Sequence, residues 1–245
     1  MRKALVNGVK SEAFKGAIGF CPDCGSQLIP KCGQAQKKIN HWAHKGNRDC
    51  DSWAEGETEW HLSWKEKFPE EWREITQHDE HGEKHRADIK TGCEWIIEFQ
   101  HSPLSPDERQ AREDFYKKLI WVVDGLRLKK DFAELENIIN RSRQIAYQPY
   151  GLLQVNNLEK CRLIEEWRNC RAPVLFDFGE QNGTKDYPLW LLFPKTNNGA
   201  FLMSVRPSAF ISYALNMVMD EWANGTVFKI RDEINVLREA KHQKR

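Results

Sequence analysis

Residues 94–102 read Glu94-Trp95-Ile96-Ile97-Glu98-Phe99-Gln100-His101-Ser102. Side chains alternate across a strand, so Trp95, Ile97 and Phe99 point one way and Ile96, Glu98 and Gln100 the other. The apolar density predicts a core strand, yet its second face carries a carboxylate and an amide. Upstream, Arg86-Ala87-Asp88-Ile89-Lys90 alternates in the same manner and sets Arg86, Asp88 and Lys90 on one face. A connection around Thr91-Gly92 joins the two strands as a hairpin. A two-residue loop pairs Asp88 with Trp95, on the wrong face. A three-residue loop through Cys93 pairs Asp88 with Ile96 and makes Glu98 its diagonal neighbour, about 7–8 Å away. The expectation is the longer, bulged loop. Two carboxylates converging beside a sheet repel each other unless a cation or proton lies between them. Oxygen ligands of this kind suit Mg²⁺ or Mn²⁺, ions that activate water and stabilise charge on a phosphodiester under attack.

The flanking segments extend this pair into an α/β unit. Ser52-Trp53-Ala54-Glu55 has the form of a capping box, which predicts a helix from Trp53 with an apolar stripe of Trp60, Trp64 and Phe68, ending at Pro69. After the hairpin, Ser105-Pro106-Asp107-Glu108 combines an N-cap with a proline at the first helical position, predicting a helix to about Tyr116. Leu119-Ile120-Trp121-Val122-Val123-Asp124 is a continuous apolar run, as a strand buried on both faces requires. Residues 131–143 form a further helix carrying Phe132, Leu135, Ile138 and Ile139. The order is helix, strand, strand, helix, strand, helix. In residues 146–245, Val174-Leu175-Phe176-Asp177 and Leu189-Trp190-Leu191-Leu192 read as strands, and a helix begins at Arg206-Pro207. Three segments result: 1–51, 52–145 and 146–245.

The first segment is a different kind of chain. Residues 1–50 hold nine Lys/Arg against three Asp/Glu, a net of +6, whereas residues 51–100 hold six against fourteen, a net of −8. A basic module precedes an acidic one, which suits polyanion binding beside metal binding. Cys21-Pro22-Asp23-Cys24-Gly25 supplies two thiolates from a tight turn, the usual first half of a tetrahedral zinc site. His41, His44 and Cys50 are available for the second half. The expected set is Cys21, Cys24, His44 and Cys50, with His41 as the competing ligand. So polar a segment has too small a core to fold without such a staple. Four protein ligands leave no open position, so this Zn²⁺ is structural. Lys31, Lys37, Lys38, Lys45 and Arg48 surround it and are positioned to contact a nucleic-acid backbone. Seven cysteines, an odd number, do not form a disulfide framework in a reducing compartment. No apolar run is long enough to span a membrane and the N-terminus is too polar for a signal peptide, so the expectation is a cytoplasmic protein without a membrane partner.

Asp88 followed by Glu98-Phe99-Gln100 resembles the signature of the PD-(D/E)XK nuclease superfamily, with glutamine where lysine is commoner. Cys-Pro-Asp-Cys-Gly, then His-Trp-Ala-His, Thr-Glu-Trp-His, Arg-Ala-Asp-Ile, Ile-Glu-Phe-Gln-His-Ser and Arg-Glu-Asp-Phe-Tyr resemble, in that order, the competence protein CoiA-like family. The resemblance covers roughly residues 20–125, about half the chain. It implies a restriction-endonuclease-like core, a mixed sheet flanked by helices, with the zinc module before it and an α+β extension after it. It also implies that Asp88 and Glu98 ligand Mg²⁺ or Mn²⁺, that Gln100 stands in the lysine position, and that Glu59 is an acidic residue on the preceding helix. The function implied is metal-dependent hydrolysis of DNA, in uptake, recombination or defence against foreign DNA, with RNA as another substrate of the same chemistry. Cutting both strands would favour a homodimer or a multiprotein complex. The rival expectation is a zinc-containing DNA-binding protein on a non-catalytic nuclease scaffold, which the uncharged Gln100 keeps open.

Overall fold

A computed structural model describes residues 1–33, 40–46, 50–53, 57–147, 150–181, 183–184, 186–197 and 199–242. Lys37, Lys38, Arg48 and Glu55, named above, lie outside the described residues. The chain divides into two compact units, Met1–Glu66 with Glu74–Ala87, and Lys67–Arg73 with Asp88–Arg245. Neither expected boundary, after residue 51 or after residue 145, separates them.

In the first unit β1 (Lys3–Val6), β2 (Val9–Glu12), β3 (Gly19–Phe20), β4 (Gln27–Lys31) and β5 (His41–His44) form an antiparallel sheet in the order β2-β1-β3-β4-β5. Its core is small: Ala4, Ala13, Ala17, Cys21, Leu28 and Trp42. Helix α1 spans Glu59–Lys65. Its start corrects the expected one at Trp53. Thr58 is the N-cap, its hydroxyl accepting from the His61 N–H while the His61 ring receives the Thr58 N–H, a capping box closed by histidine instead of glutamate. Trp53 instead sits in a turn held by its N–H donating to the Asp51 carboxylate, 3.0 Å. The unit also holds most of a hairpin of β6 (Arg73–His78) and β7 (Lys84–Lys90). Strand β6 was not expected: its charged residues and the positive φ of Glu74 (53°) obscure its periodicity.

From Asp88 onward β7 belongs to the second unit, where it enters a mixed sheet. That sheet contains β8 (Ile96–Gln100), β9 (Leu119–Asp124), β10 (Arg143–Tyr147), β11 (Tyr150–Gln154), β12 (Val174–Asp177), β13 (Leu189–Leu192) and β14 (Phe201–Val205) in the order β10-β11-β14-β13-β12-β9-β8-β7. Strands β8, β9 and β12 are parallel neighbours; the other pairs are antiparallel. The middle and C-terminal segments therefore share one sheet, because β12 completes the parallel core begun by β8 and β9. Parallel strands need helical crossovers. These are supplied by α2 (Pro106–Phe115) between β8 and β9, and by α3 (Asp131–Arg141) and α4 (Arg162–Trp167) before β12. Ser105 caps α2 as expected, its hydroxyl accepting the Glu108 N–H at 3.1 Å. Every residue of β9 is buried, in agreement with its unbroken apolar run. Helices α5 (Pro207–Leu215) and α6 (Met219–Trp222), a π-helical turn (Ala223–Phe228) and α7 (Lys229–His242) close the chain. Among the described residues no helix is long and apolar enough to cross a membrane.

Candidate functional site: a Cys3His cluster and a carboxylate pair

The register of β7 against β8 decides where Asp88 and Glu98 stand. Ile89 pairs with Ile97 and Lys90 with Ile96. Carried one residue further, this register sets Asp88 directly opposite Glu98. Both loop lengths considered from sequence are thereby corrected. The connection is five residues, Thr91–Trp95, closed by the Thr91 N–H on the Trp95 carbonyl (2.8 Å) and the Trp95 N–H on the Thr91 hydroxyl (3.0 Å). The left-handed residue is Glu94 (φ 67°), not Gly92. Glycine is required at 92 for room, since a Cβ there would lie 2.5 Å from the Met217 sulfur.

Beyond Ile89 the carboxylates take over the ladder. The Asp88 N–H donates to Glu98 Oε1 (3.2 Å) and the Phe99 N–H donates to Asp88 Oδ2 (2.9 Å). Each acid is thus held by the backbone of the opposing strand, which fixes the pair without a long side-chain search. All five residues of β8 are buried, with Glu98 6% and Gln100 2% exposed, so the polar face is not a wet one. The Gln100 side-chain amide donates to the Ser102 carbonyl (2.9 Å).

Arg112 is the residue whose role the sequence concealed. Its spacing from Glu108 reads as a surface helix pair, and the 2.6 Å contact is present. The guanidinium is nevertheless buried, 3.6 Å from Glu98 Oε2 and 5.9 Å from the centre of the Trp121 ring. The available signal was a charge on the helix face that packs on an all-buried strand. His101, given no role from sequence, pairs with Asp124 at 2.7 Å. Glu59 is exposed in the first turn of α1, in the first unit. His61 is buried and spent on the cap. Lys65 is buried and paired with Glu57 (2.8 Å) and Glu74 (3.5 Å).

The second constellation lies in the first unit. The ligating atoms of Cys21, Cys24, His44 and Cys50 all lie within 4.8 Å of one another. Cys21 and Cys24 flank a tight knuckle in which the Gly25 N–H donates to the Cys21 carbonyl (2.9 Å), with Gly25 at φ +69°. His44 comes from β5; His41 lies three residues earlier, and that odd spacing turns it to the other face. The competition left open by spacing is settled by strand alternation, in favour of His44. The donors fit a tetrahedral ion. With metal–sulfur bonds near 2.3 Å two thiolates stand about 3.8 Å apart, and the Cys21 and Cys50 sulfurs are 3.7 Å apart. The Cys24 sulfur is 3.3 Å from His44 Nε2.

Electrostatics point the same way. Burial pushes the Cys24 thiol up, but hydrogen bonds with Ser26, His44 and Cys21 outweigh it and bring it to about 6. Burial, followed by the Cys21 and Cys24 sulfurs, pushes Cys50 up to about 12. The first thiolate thus opposes the next, and a dication among them removes that opposition. The cluster can hold a metal ion such as zinc.

Residues 11–52, which contain all four donors, match the family described as Competence protein CoiA, N-terminal domain. The competence protein CoiA of Bacillus subtilis (strain 168) is 27% identical to this chain over 139 residues. Over part of its length the chain is thus similar to CoiA. The similarity to the Bacillus protein covers 51% of this chain and 36% of that protein, about a third of its length. No solved structure matches the chain.

Proposed function

We propose that the chain is a metal-dependent nuclease that hydrolyses phosphodiester bonds of DNA, its second unit being a PD-(D/E)XK core and its first a structural zinc module. The single observation that supports this reading is the direct opposition of Asp88 and Glu98, each fixed by a main-chain N–H of the facing strand. Glu98 is buried and Asp88 half-buried, and two acids held this close repel unless a cation or proton lies between them. Arg112 stands 3.6 Å from Glu98 Oε2 and 2.6 Å from Glu108 Oε1.

Asp88 and Glu98 would hold Mg²⁺ or Mn²⁺, being a hard-oxygen donor set that such ions prefer. The bound ion would supply a water of lowered pKa and a counter-charge for the phosphate. Glu98 and Asp88 contribute negative charge at fixed positions, and their backbone ties limit reorganisation. Gln100 contributes a neutral amide that donates to, or accepts from, water or phosphate oxygen, where lysine would add a charge. Arg112 balances the acids from α2. In the first unit, Cys21, Cys24, His44 and Cys50 would hold Zn²⁺ with no position left open, so its contribution would be to folding.

Gln100 supports a second reading as well. Its side chain is tied to Ser102 and carries no charge, which a DNA-binding scaffold without catalysis would tolerate. Plasmid and single-stranded DNA incubated with the full chain and with Glu98→Ala, each in Mg²⁺, Mn²⁺ or chelator, separate the two. Cutting that needs the ion and is lost in the variant supports the nuclease. DNA binding retained in chelator, with no cutting by either protein, supports the scaffold.

A further inference from the structure

Two acidic residues accompany the metal donors without belonging to them. Asp23 stands between Cys21 and Cys24, and Asp51 directly follows Cys50. Both reach β7, where Arg86 is their common partner. Asp23 Oδ2 accepts from Arg86 Nε (3.0 Å) and Nη2, its Oδ1 accepts from the Thr76 hydroxyl (2.5 Å), and its carbonyl accepts from Lys84 Nζ (2.9 Å). Asp51 Oδ1 lies 2.8 Å from His85 Nδ1, and its Oδ2 accepts the Arg86 N–H at 2.8 Å. Trp53 stacks on the His85 ring, centroids 3.2 Å apart and planes within 10°. The Asp23 and Arg86 side chains are only 12% and 14% exposed, so this is a sequestered contact and not a surface pair.

The strand needs these acceptors. Alternate residues of β7 direct their N–H groups to the same edge. At Asp88 a carboxylate answers, and at Arg86 another carboxylate answers. Both halves of the metal cluster, the knuckle and the Cys50 turn, therefore grip β7 one residue away from a metal donor.

We infer that the metal cluster is a clasp for β7, with Asp23 and Asp51 as positioning residues that transmit metal occupancy to the strand carrying Asp88. A metal binding within a polar module with a small core fixes its loops. Fixing the loops fixes both acids, and the acids fix His85 and Arg86. The importance given to Asp88 rests on the nuclease reading above; the clasp itself does not.

The test is amide hydrogen exchange of the full chain, followed on peptides covering residues 84–90 and 119–124, together with zinc content. Chelation of wild type should speed exchange at 84–90 by about tenfold or more, the consequence of losing tied hydrogen bonds, and leave 119–124 unchanged. Asp51→Ala should do the same while retaining one zinc per chain, and Asp51→Asn, which keeps an acceptor oxygen, should restore most of the protection. Arg86→Lys, which keeps the charge and loses the forked contact, serves if Asp51→Ala does not fold. Protection at 84–90 that survives both chelation and substitution overturns the clasp. Loss of zinc in Asp51→Ala also overturns it, since Asp51 would then belong to the metal site. None of these readouts requires DNA cleavage, so a failure of the nuclease reading leaves them interpretable.

Discussion

Replacing Arg112 with methionine perturbs the carboxylate pair without touching it. The guanidinium is buried and stands between Glu98 at 3.6 Å and Glu108 at 2.6 Å. Removing one partner of a buried ion pair costs about 3–5 kcal/mol, because the remaining charge is stranded. The low end applies here: the Glu98 contact is longer than a hydrogen bond, the Glu108 side chain is 36% exposed and can be hydrated, and methionine still covers Trp121. About 3 kcal/mol in a chain of this size corresponds to a fall of roughly 6–12 °C in melting temperature. If Asp88 and Glu98 form a cation site, Mn²⁺ should replace the lost positive charge. An ion at a hundred times its dissociation constant returns about 2.7 kcal/mol, nearly the whole loss. The two units need not unfold together, so the measurement should be local: amide exchange of residues 96–100 against urea, in chelator and in Mn²⁺. A loss that is the same in chelator and in Mn²⁺ would refute the reasoning, since Arg112 would then be acting through packing alone.

Other substitutions test separate links. His44→Ala should abolish zinc binding by the full chain and His41→Ala should leave one zinc per chain, measured by metal analysis after dialysis. Gly92→Ala should cost about 1 kcal/mol by urea denaturation, because the new Cβ displaces the Met217 side chain, and the cost should vanish in a Met217→Ala background. At Asp220, burial pushes the carboxyl up but contacts with Lys118 and Trp95 outweigh it and hold it below 3.8. A depressed carboxyl contributes stability above its unfolded pKa and loses it as the pH falls through the lower folded value. With 41% of the side chain exposed, Asp220→Asn should therefore cost under about 1 kcal/mol at neutral pH, and nothing in acid below the folded pKa.

Much of this structure was legible where a residue's local chemistry and its tertiary surroundings agree. Ser105-Pro106 gave the start of α2, and the unbroken apolar run of β9 gave its burial on both faces. The donors Cys21, Cys24 and Cys50 followed from side-chain chemistry alone, and the choice of His44 needed only the strand period once β5 was known. Legibility failed where two local signals competed. Ser52 and Thr58 both offer caps; Thr58 prevails because His61 completes its box, a partner that the usual Glu/Gln pattern does not anticipate. The hairpin length failed because Thr91 can close a five-residue loop with its own hydroxyl, and because Glu94 takes the left-handed conformation in it. Arg112 and Asp23 were invisible because a charge in sequence carries no mark of burial.

The pairing of Asp88 and Glu98 matters only if an ion is bound there, and Mn²⁺ can be counted directly. Electron paramagnetic resonance titration of the zinc-loaded full chain should find one tight Mn²⁺ site in wild type and none in Asp88→Asn or Glu98→Gln, with zinc content unchanged in all three. Equal Mn²⁺ binding by the three proteins, or none by wild type, would contradict the proposed metal-dependent chemistry at its centre.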